Sequence, residues 1–286
     1  MESSPATKLK RHPIANLDLA PRCRWLISGV LVAMKLFMAT IACAEGRSEW
    51  VTGTPALVAD IDTGRVLYAQ NPTLRWHPAS LAMLMTTYVT MTEIRAGRAR
   101  TDDLLQVSTS AAREPYPKMG FPPGIYIRID NALIIISVYR ANDVASAIAE
   151  GVSGSIDNFV SLMNSHASRL GMRDTYFADV SHGSHDTRSF TTARDMAILA
   201  RALYHEFPDQ MVLFGLNSIN YEGNIFENDN KLINRYSGST GMKVGYSCSS
   251  GHNIVGTAER GERRLIAIWT LRTTEVFWSD RDDDGA

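Results

Sequence analysis

Strand patterns at both ends of the chain, with helical patterns between them, restrict the fold more than any other feature of the sequence. Residues 56–70 (ALVADIDTGRVLYAQ) alternate apolar and polar side chains around a turn at 62–64, which predicts a β-hairpin. Strand patterns return later, at residues 218–221, 241–247, 252–259 and 264–271. Together they predict an α/β (α+β) fold, in which an antiparallel sheet joins the N- and C-terminal strands and a helical lobe is inserted between them.

The helical patterns lie between these strands. We predict helices over residues 80–96, 130–139, 142–150, 155–170 and 192–207. Gly97 and Gly171 directly follow two of them, as helix-ending glycines do. Asn142 is expected to cap the third helix, and Thr192 with Asp195 is expected to form a capping pair at the start of the last.

The composition is that of a globular protein with a sizeable core, since 45% of the 286 residues are hydrophobic and 21% are charged. The formal net charge is -1 and the pI is about 6.7. Beyond the N-terminus, lysine and arginine are not clustered with aromatic residues. Nucleic acid is therefore not an expected partner.

The first 44 residues have the layout of a secretory signal. Basic residues come first, namely Lys8, Lys10, Arg11, Arg22 and Arg24. An apolar run over residues 25–42 follows and ends in the small-residue pattern Ala-Cys-Ala at 42–44.

Three other interpretations of this segment are a retained membrane anchor, a later start of translation and a lipid anchor. Lys35 interrupts the apolar run, which costs a membrane-spanning helix about 2.5–3.5 kcal/mol and disfavours a retained anchor. Translation from Met34 would leave a shorter signal of the same type. A lipid anchor at Cys43 ranks third, because Thr40 stands where an apolar residue is needed.

The chain divides into three expected parts: a signal peptide (residues 1–44) cleaved after Ala44, a domain (45–275) and an acidic tail (276–286). The domain is expected to be exported, to the periplasm or another extracytoplasmic location. The fifteen residues after Leu271 leave no room for a second domain or a C-terminal membrane anchor, so we expect neither.

Cysteine usage agrees with this division. Cys23 and Cys43 fall in the expected signal peptide, so Cys248 would remain alone and no internal disulfide could form. His252 lies four residues further on and raises the possibility of a thiol–imidazole pair. A free thiol on a turn rich in serine and glycine is the favoured interpretation.

Two histidines invite a metal-site interpretation. His182 and His185 have Asp179 and Asp186 nearby in the sequence, but no third ligand has a recognisable spacing. A polar loop is the simpler interpretation, and we expect neither a metal nor a cofactor.

The stretch HPASLAMLMTTY (residues 77–88) places Ser80 in the first turn of the first predicted helix. Unpaired backbone N–H groups and the positive end of the helix dipole favour an alkoxide or oxyanion there. A lysine three positions further on would share nearly the same face and could accept the serine proton, which is the logic of the SxxK motif. Here that position is Met83. On this motif alone, an apolar helix with a capping serine would be the better interpretation.

Six segments nevertheless resemble, in order and spacing, the low-molecular-weight penicillin-binding D-alanyl-D-alanine carboxypeptidases, which are serine peptidases of the SxxK type. They are PASLAMLMT, ANDVASAIAEGVSGS, FVSLMNSHASRLGMRDTYF, TTARDMAILARAL, NDNKLI and GMKVGYSCSSGHNIVGTAERGERRLIAI. The first is similar to the family's PASLTKxMT and the second to its SANDAAxALAExxxGS. The resemblance implies the fold shared by serine β-lactamases and penicillin-binding transpeptidases.

The resemblance also implies roles for five residues that stand at the family's motif positions. Ser80 corresponds to the acylated serine. Asn142 corresponds to the asparagine of the SxN motif and Lys243 to the lysine of the KTG motif, so these two would also be catalytic. Arg140 and Gly245 would contact the substrate.

Three motif positions depart from the family. Met83 replaces the base lysine, Arg140 replaces the serine of SxN, and Val244 replaces the threonine of KTG. A thioether is no base, and a positioned acid or base contributes about a hundredfold to ten-thousandfold to a rate. A guanidinium stays protonated and cannot substitute. Recruitment of Lys243 as the base is a less favoured alternative. One cation, the lysine expected at position 83, is lost, and another, Arg140, is gained. The number of cations is therefore unchanged, and the cleft is still expected to attract a carboxylate.

These departures leave three interpretations of function. A serine-type D-Ala-D-Ala carboxypeptidase would trim peptidoglycan stem peptides through a Ser80 acyl-enzyme, with impaired activity. A non-catalytic module would bind stem peptides, or β-lactams, in the same cleft. A gene product without a selected role is the third.

We expect the exported protein to begin near Glu45, because a basic and an apolar segment precede the Ala-x-Ala pattern. N-terminal sequencing of the protein recovered from the periplasm and from the cytoplasm checks this. A folded cytosolic protein that retains residues 1–44 would contradict it.

Overall fold

The computed structural model describes residues 54–181, 188–247 and 249–271. The strands are β1 (Ala56–Asp60), β2 (Val66–Gln70), β3 (Leu104–Gln106), β4 (Tyr126–Arg128), β5 (Ser218–Tyr221), β6 (Asn224–Glu227), β7 (Ser239–Ser247), β8 (Gly251–Arg260) and β9 (Arg263–Leu271). The helices are α1 (Ala82–Arg95), α2 (Thr109–Ala112), α3 (Ile129–Val138), α4 (Asn142–Ser153), α5 (Ile156–Leu170), α6 (Ala193–Glu206) and α7 (Leu232–Arg235). Two 3₁₀ segments cover Ala79–Leu81 and Pro208–Gly215.

Five strands form one antiparallel sheet in the order β2-β1-β9-β8-β7, with β7 at one edge of the described sheet. Strand β1 pairs with β9, and Leu57 lies opposite Ile268. The predicted meeting of the N- and C-terminal strands is therefore confirmed. Alternate side chains of both strands, including Ala59 and Ile266, are buried on the inner face of the sheet.

Helix α1 runs through the core and is buried on nearly every side, so it has no broad polar face. Its threonine hydroxyls find acceptors inside the fold. Thr87, Thr90 and Thr92 each donate to the carbonyl four residues earlier, and Thr86 donates to the Val180 carbonyl at 2.6 Å. Polar side chains in this helix therefore cost the core no unpaired donor.

The predicted helix boundaries agree with the capping chemistry at several ends. The Ser155 hydroxyl accepts from the Asn158 N–H at 3.1 Å at the start of α5, and Gly171 ends that helix with a φ of +79°. The Thr192 hydroxyl accepts from the Asp195 N–H at 3.1 Å at the start of α6.

Two capping predictions need correction. Ala141, not Asn142, is the N-cap of α4, because the Asn142 side-chain amide donates instead to the Pro115 carbonyl at 2.9 Å. The Thr192 pair is only half formed, because the Asp195 carboxylate accepts from the Asp174 N–H at 2.8 Å.

Two small two-stranded sheets lie outside the main sheet. Strand β3 pairs with β4, and β5 pairs with β6. Only β5 was predicted, since three or four residues are too few to show alternation clearly.

Several sequence-based predictions lie outside the described residues. These are the signal peptide, the acidic tail, the loop with His182 and His185, and Cys248. In the part of the chain that the structure describes, no helix combines the length and apolarity needed to span a membrane.

Candidate active site

Ser80 lies in the 3₁₀ turn that leads directly into α1 and is 6% exposed. The turn is closed by the Leu81 N–H, which donates to the Pro78 carbonyl at 3.1 Å. Ala79, just before the serine, has a φ of +48°, a left-handed conformation that is uncommon for residues other than glycine. Backbone strain of this kind concentrates at functional sites.

Strand β7 packs against this turn through Gly245. A Cβ added there would lie 3.0 Å from the Ser80 nitrogen, 3.1 Å from the Leu81 nitrogen and 3.2 Å from the Pro78 oxygen. These neighbours are backbone atoms, so they cannot swing aside as a side chain would. Glycine at this position therefore allows the edge strand to approach the backbone of Ser80.

Lys243 precedes Gly245 by two residues on the same face of β7 and is 2% exposed. Its Nζ donates to the carbonyl oxygens of Ile136 and Ser137, the latter at 3.1 Å. Both carbonyls lie in the last turn of α3, where backbone oxygens lack helical partners and the helix dipole is negative. The lysine thus links the sheet to the helical lobe.

Burial lowers the pKa of the Lys243 ammonium well below its ordinary value, because the charged form loses its hydration. The nearby Arg140 cation lowers this pKa further, whereas the Asp229 carboxylate raises it. A neutral amine is consequently reached at a lower pH than for an exposed lysine.

Arg140 lies in the break between α3 and α4 with a φ of +62°. Its Nη2 donates to the Asp229 carboxylate, which comes from the segment after β6. No sequence pattern marks Asp229 as a partner of Arg140, because the two residues are 89 positions apart and share no motif.

Asn142 is held firmly at the start of α4. Its Nδ2 donates to the Pro115 carbonyl at 2.9 Å, and its backbone N–H donates to the Pro117 carbonyl at 2.8 Å. The amide oxygen Oδ1 is buried and has no partner among the described residues.

Unpartnered polar atoms are concentrated in these segments. Ser137 Oγ, Arg140 Nε, Asn142 Oδ1 and Asn230 Nδ2 are all buried without a hydrogen-bond partner among the described residues. Buried polar groups are nearly always paired in folded proteins. Four orphaned atoms on these segments therefore mark hydrogen-bonding capacity that the described part of the fold leaves unused.

Met83 is buried in the core, with 1% exposure, one turn of α1 beyond Ser80. Its neighbours Leu84 and Met85 are equally buried. The structure thus brings together the segments carrying Ser80 and Gly245, and Lys243 reaches across to α3, while an apolar side chain fills the position of the expected base.

The fold is that of the penicillin-binding proteins. The crystal structure of penicillin-binding protein 6B from Escherichia coli matches with a TM-score of 0.72 and 29% identity, covering 80% of this chain and 74% of that one. Penicillin-binding protein D2 from Listeria monocytogenes, in its ampicillin-bound form, matches with a TM-score of 0.68 and 26% identity, covering 76% and 88%.

The family model for D-alanyl-D-alanine carboxypeptidases matches residues 44–271, and the chain belongs to this family. The carboxypeptidase DacA of Escherichia coli K12 is 30% identical over 225 residues, which cover 74% of this chain and 54% of the relative. DacC of the same strain is 31% identical over 242 residues, covering 82% and 60%. The chain thus spans little more than half the length of these relatives.

Replacing Gly245 by alanine should destabilise the domain by about 1–3 kcal/mol, because the added methyl group meets rigid backbone. The matched control is Gly256→Ala on β8, where the close neighbour of the methyl group is the end of the Leu232 side chain, at 2.9 Å, and the nearest backbone atom is 3.8 Å away. We expect a clearly smaller loss there. Urea unfolding of both variants measures the difference, and equal losses would contradict the close packing of β7 on the Ser80 turn.

Proposed function

We propose that the chain is an exported penicillin-binding-type domain that holds peptidoglycan stem peptides in the cleft at Ser80. In this proposal Ser80 is acylated very slowly or not at all. The proposal combines the family, which supplies the kind of reaction, with the departures in the cleft, which limit its rate.

The reaction would follow the serine route. Ser80 Oγ would attack the carbonyl carbon of the penultimate D-Ala, the peptide bond would break, and the terminal D-Ala would leave with a proton. Water would then hydrolyse the ester and restore the hydroxyl. Asn142 and Lys243 would assist, while Arg140 and Gly245 would contact the peptide. Each half-reaction needs a group that takes a proton and gives it back.

The burial of Met83 is the single observation that carries the proposed impairment. This side chain is 1% exposed and packs in the core cluster. Its thioether cannot accept or donate a proton. Loss of a positioned base costs roughly a hundredfold to ten-thousandfold in rate. The turn that holds Ser80 is closed by its own backbone hydrogen bond, so we expect binding to be less affected than acylation.

Lys243 is the alternative base. Its lowered pKa favours this role, because a neutral amine can accept a proton. Its hydrogen bonds oppose the role, since two carbonyl oxygens hold the Nζ and stabilise the protonated form. We therefore assign Lys243 mainly to structure and to attraction of the peptide carboxylate.

Binding of β-lactams is part of the proposal. The Listeria penicillin-binding protein D2 has been crystallised in ampicillin-bound and cefotaxime-bound forms. In this chain the Arg140 guanidinium places a permanent cation two residues before Asn142, which favours ligands with a carboxylate. The unpartnered atoms Asn142 Oδ1 and Asn230 Nδ2 add an acceptor and a donor.

A module that binds stem peptides without turnover is the second candidate function. The same buried Met83 favours it, because the cleft would then be selected for recognition alone. The two candidates differ in whether any D-Ala is released.

Incubation with a fluorescent penicillin should label Ser80 slowly or not at all, because no base replaces the lost lysine. Intact mass of the protein before and after exposure measures acylation, with Ser80→Ala as the control. Residual labelling that rises with pH and disappears in Lys243→Arg would assign the base to Lys243. Rapid stoichiometric labelling that depends on Ser80 would overturn the proposed impairment.

Repair of the motifs should restore activity only in combination. Met83→Lys alone would bury a new amine in the core, where desolvation lowers its pKa, and would leave Arg140 in place of the SxN serine, so little recovery is expected. Arg140→Ser returns a hydroxyl to the break before α4. Val244→Thr restores a hydrogen bond to the substrate carboxylate, worth about 1.5–3 kcal/mol. Groups that act as a unit are non-additive, so most of the gain should appear in the triple variant.

Release of D-Ala from diacetyl-Lys-D-Ala-D-Ala by all eight combinations measures this recovery. Met85→Lys is the matched control, because it buries the same amine in the same helix away from the motif position. It should destabilise the domain without adding activity. An unmodified protein that already turns over as fast as the triple variant would show that Met83, Arg140 and Val244 serve a different mechanism.

A further inference from the structure

A carboxylate of the chain itself already occupies the cationic part of the cleft. Asp229 accepts a hydrogen bond from Arg140, which lies between α3 and α4 in the helical lobe. Asp229 follows the β5–β6 hairpin, so the ion pair joins two separate segments of the chain beside Lys243. Both side chains act on the Lys243 ammonium electrostatically, which places all three charges in one neighbourhood.

Packing beside each partner holds the two residues opposite one another. Phe226 of β6 contacts Tyr139 edge to face, with ring centroids 4.7 Å apart, and Tyr139 immediately precedes Arg140. The Asn228 N–H donates to the Asn217 carbonyl at 2.7 Å, which fixes the backbone just before Asp229. The ion pair therefore forms between anchored segments.

The two side chains differ in exposure. The Arg140 side chain is 17% exposed, whereas the Asp229 side chain is 46% exposed. The guanidinium is thus the fixed partner, and the carboxylate is the one that can turn into solvent. A half-exposed carboxylate gives up such a pair at small cost, because water and salt screen it.

The Arg140 guanidinium has more donors than Asp229 uses. Asp229 neutralises the charge of Arg140, and the lowered pKa of Lys243 limits the positive charge that this residue adds. Arg140 Nε is buried without a partner among the described residues, although the Nη2 atom is engaged by Asp229. A guanidinium binds a carboxylate best through two parallel N–H donors. The present pair therefore does not use the full binding capacity of Arg140.

We propose that Asp229 is a specificity-determining residue that stands in for the ligand carboxylate and must be displaced before an anionic ligand binds at Arg140. The ligand class is a peptide with a free C-terminal carboxylate, and in this respect the inference rests on the proposed function. Neutral ligands would not compete for the guanidinium, so the Arg140–Asp229 pair would select for C-terminal acids and hold their affinity down.

Calorimetric titration of the full chain with diacetyl-Lys-D-Ala-D-Ala and with its C-terminal amide tests this role. Asp229→Asn should bind the acid roughly threefold to tenfold more tightly, since the internal competitor is removed. The amide should bind both proteins equally. The gain for the acid should shrink as salt is raised.

Asp130→Asn is the matched control, because Asp130 forms a half-exposed ion pair with Arg128 at the opposite end of α3 from Arg140. It should leave both affinities unchanged. Asp229→Ala removes the carboxylate without introducing the side-chain amide of the Asn variant. It should act in the same direction as Asp229→Asn. Unchanged or weaker binding of the acid by both Asp229 variants would overturn the role of Asp229.

A ligand-free measurement separates this inference from the proposed function. Phenylglyoxal modification of Arg140, followed by peptide mass analysis, should be severalfold faster in Asp229→Asn than in the unmodified chain. One outcome is that neither peptide binds any variant while Arg140 is still modified faster in Asp229→Asn than in the unmodified chain. That result would contradict stem-peptide binding but support the Arg140–Asp229 pair. An unchanged modification rate would overturn the pair itself.

Discussion

The buried ammonium of Lys243 is the interaction on which the arrangement of the cleft depends. The side chain extends from the edge strand β7 to the last turn of α3, where its Nζ donates hydrogen bonds to the carbonyl oxygens of Ile136 and Ser137. A charge at 2% exposure is unfavourable unless it is well paired, so this contact fixes the distance between sheet and helical lobe. Gly245 on the same strand then sets how closely β7 approaches Ser80.

In this cleft, the residues that make the structural contacts differ from the residue position expected to transfer protons. The contacts that build it come from Lys243, Gly245 and the anchored amide of Asn142, all at motif positions that keep the family's residue. In the proposed reaction, proton transfer would depend on position 83, where methionine is fully packed in the core. An amine buried there would lose hydration, whereas a thioether gains from burial. Methionine at this position therefore favours stability, and the proposed loss of activity would be the corresponding cost.

The sequence predicts the elements whose physics is local. Alternation predicts the β1–β2 hairpin and the last strands, and capping hydroxyls such as that of Thr192 predict helix starts. Asn142 shows the limit, since its amide bonds to Pro115, 27 residues away, and not to its own helix. Asp229 shows it more strongly, because no local pattern marks a carboxylate whose partner lies 89 residues away. Resemblance assigns the motif positions, but ion pairs particular to this chain emerge only from the fold.

The ion pair with Asp229 changes how Arg140, at the position of the SxN serine, is interpreted. Considered alone, Arg140 is an obstruction with a left-handed backbone, φ +62°, beside Asn142. Considered with Asp229, it is half of an ion pair that anchors the segment after β6 against the helical lobe. A guanidinium cannot exchange protons at working pH, but it can bind carboxylates strongly and selectively. Under the proposed function, the arginine would therefore shift the cleft from proton transfer toward recognition of anions, with Asp229 as the internal competitor.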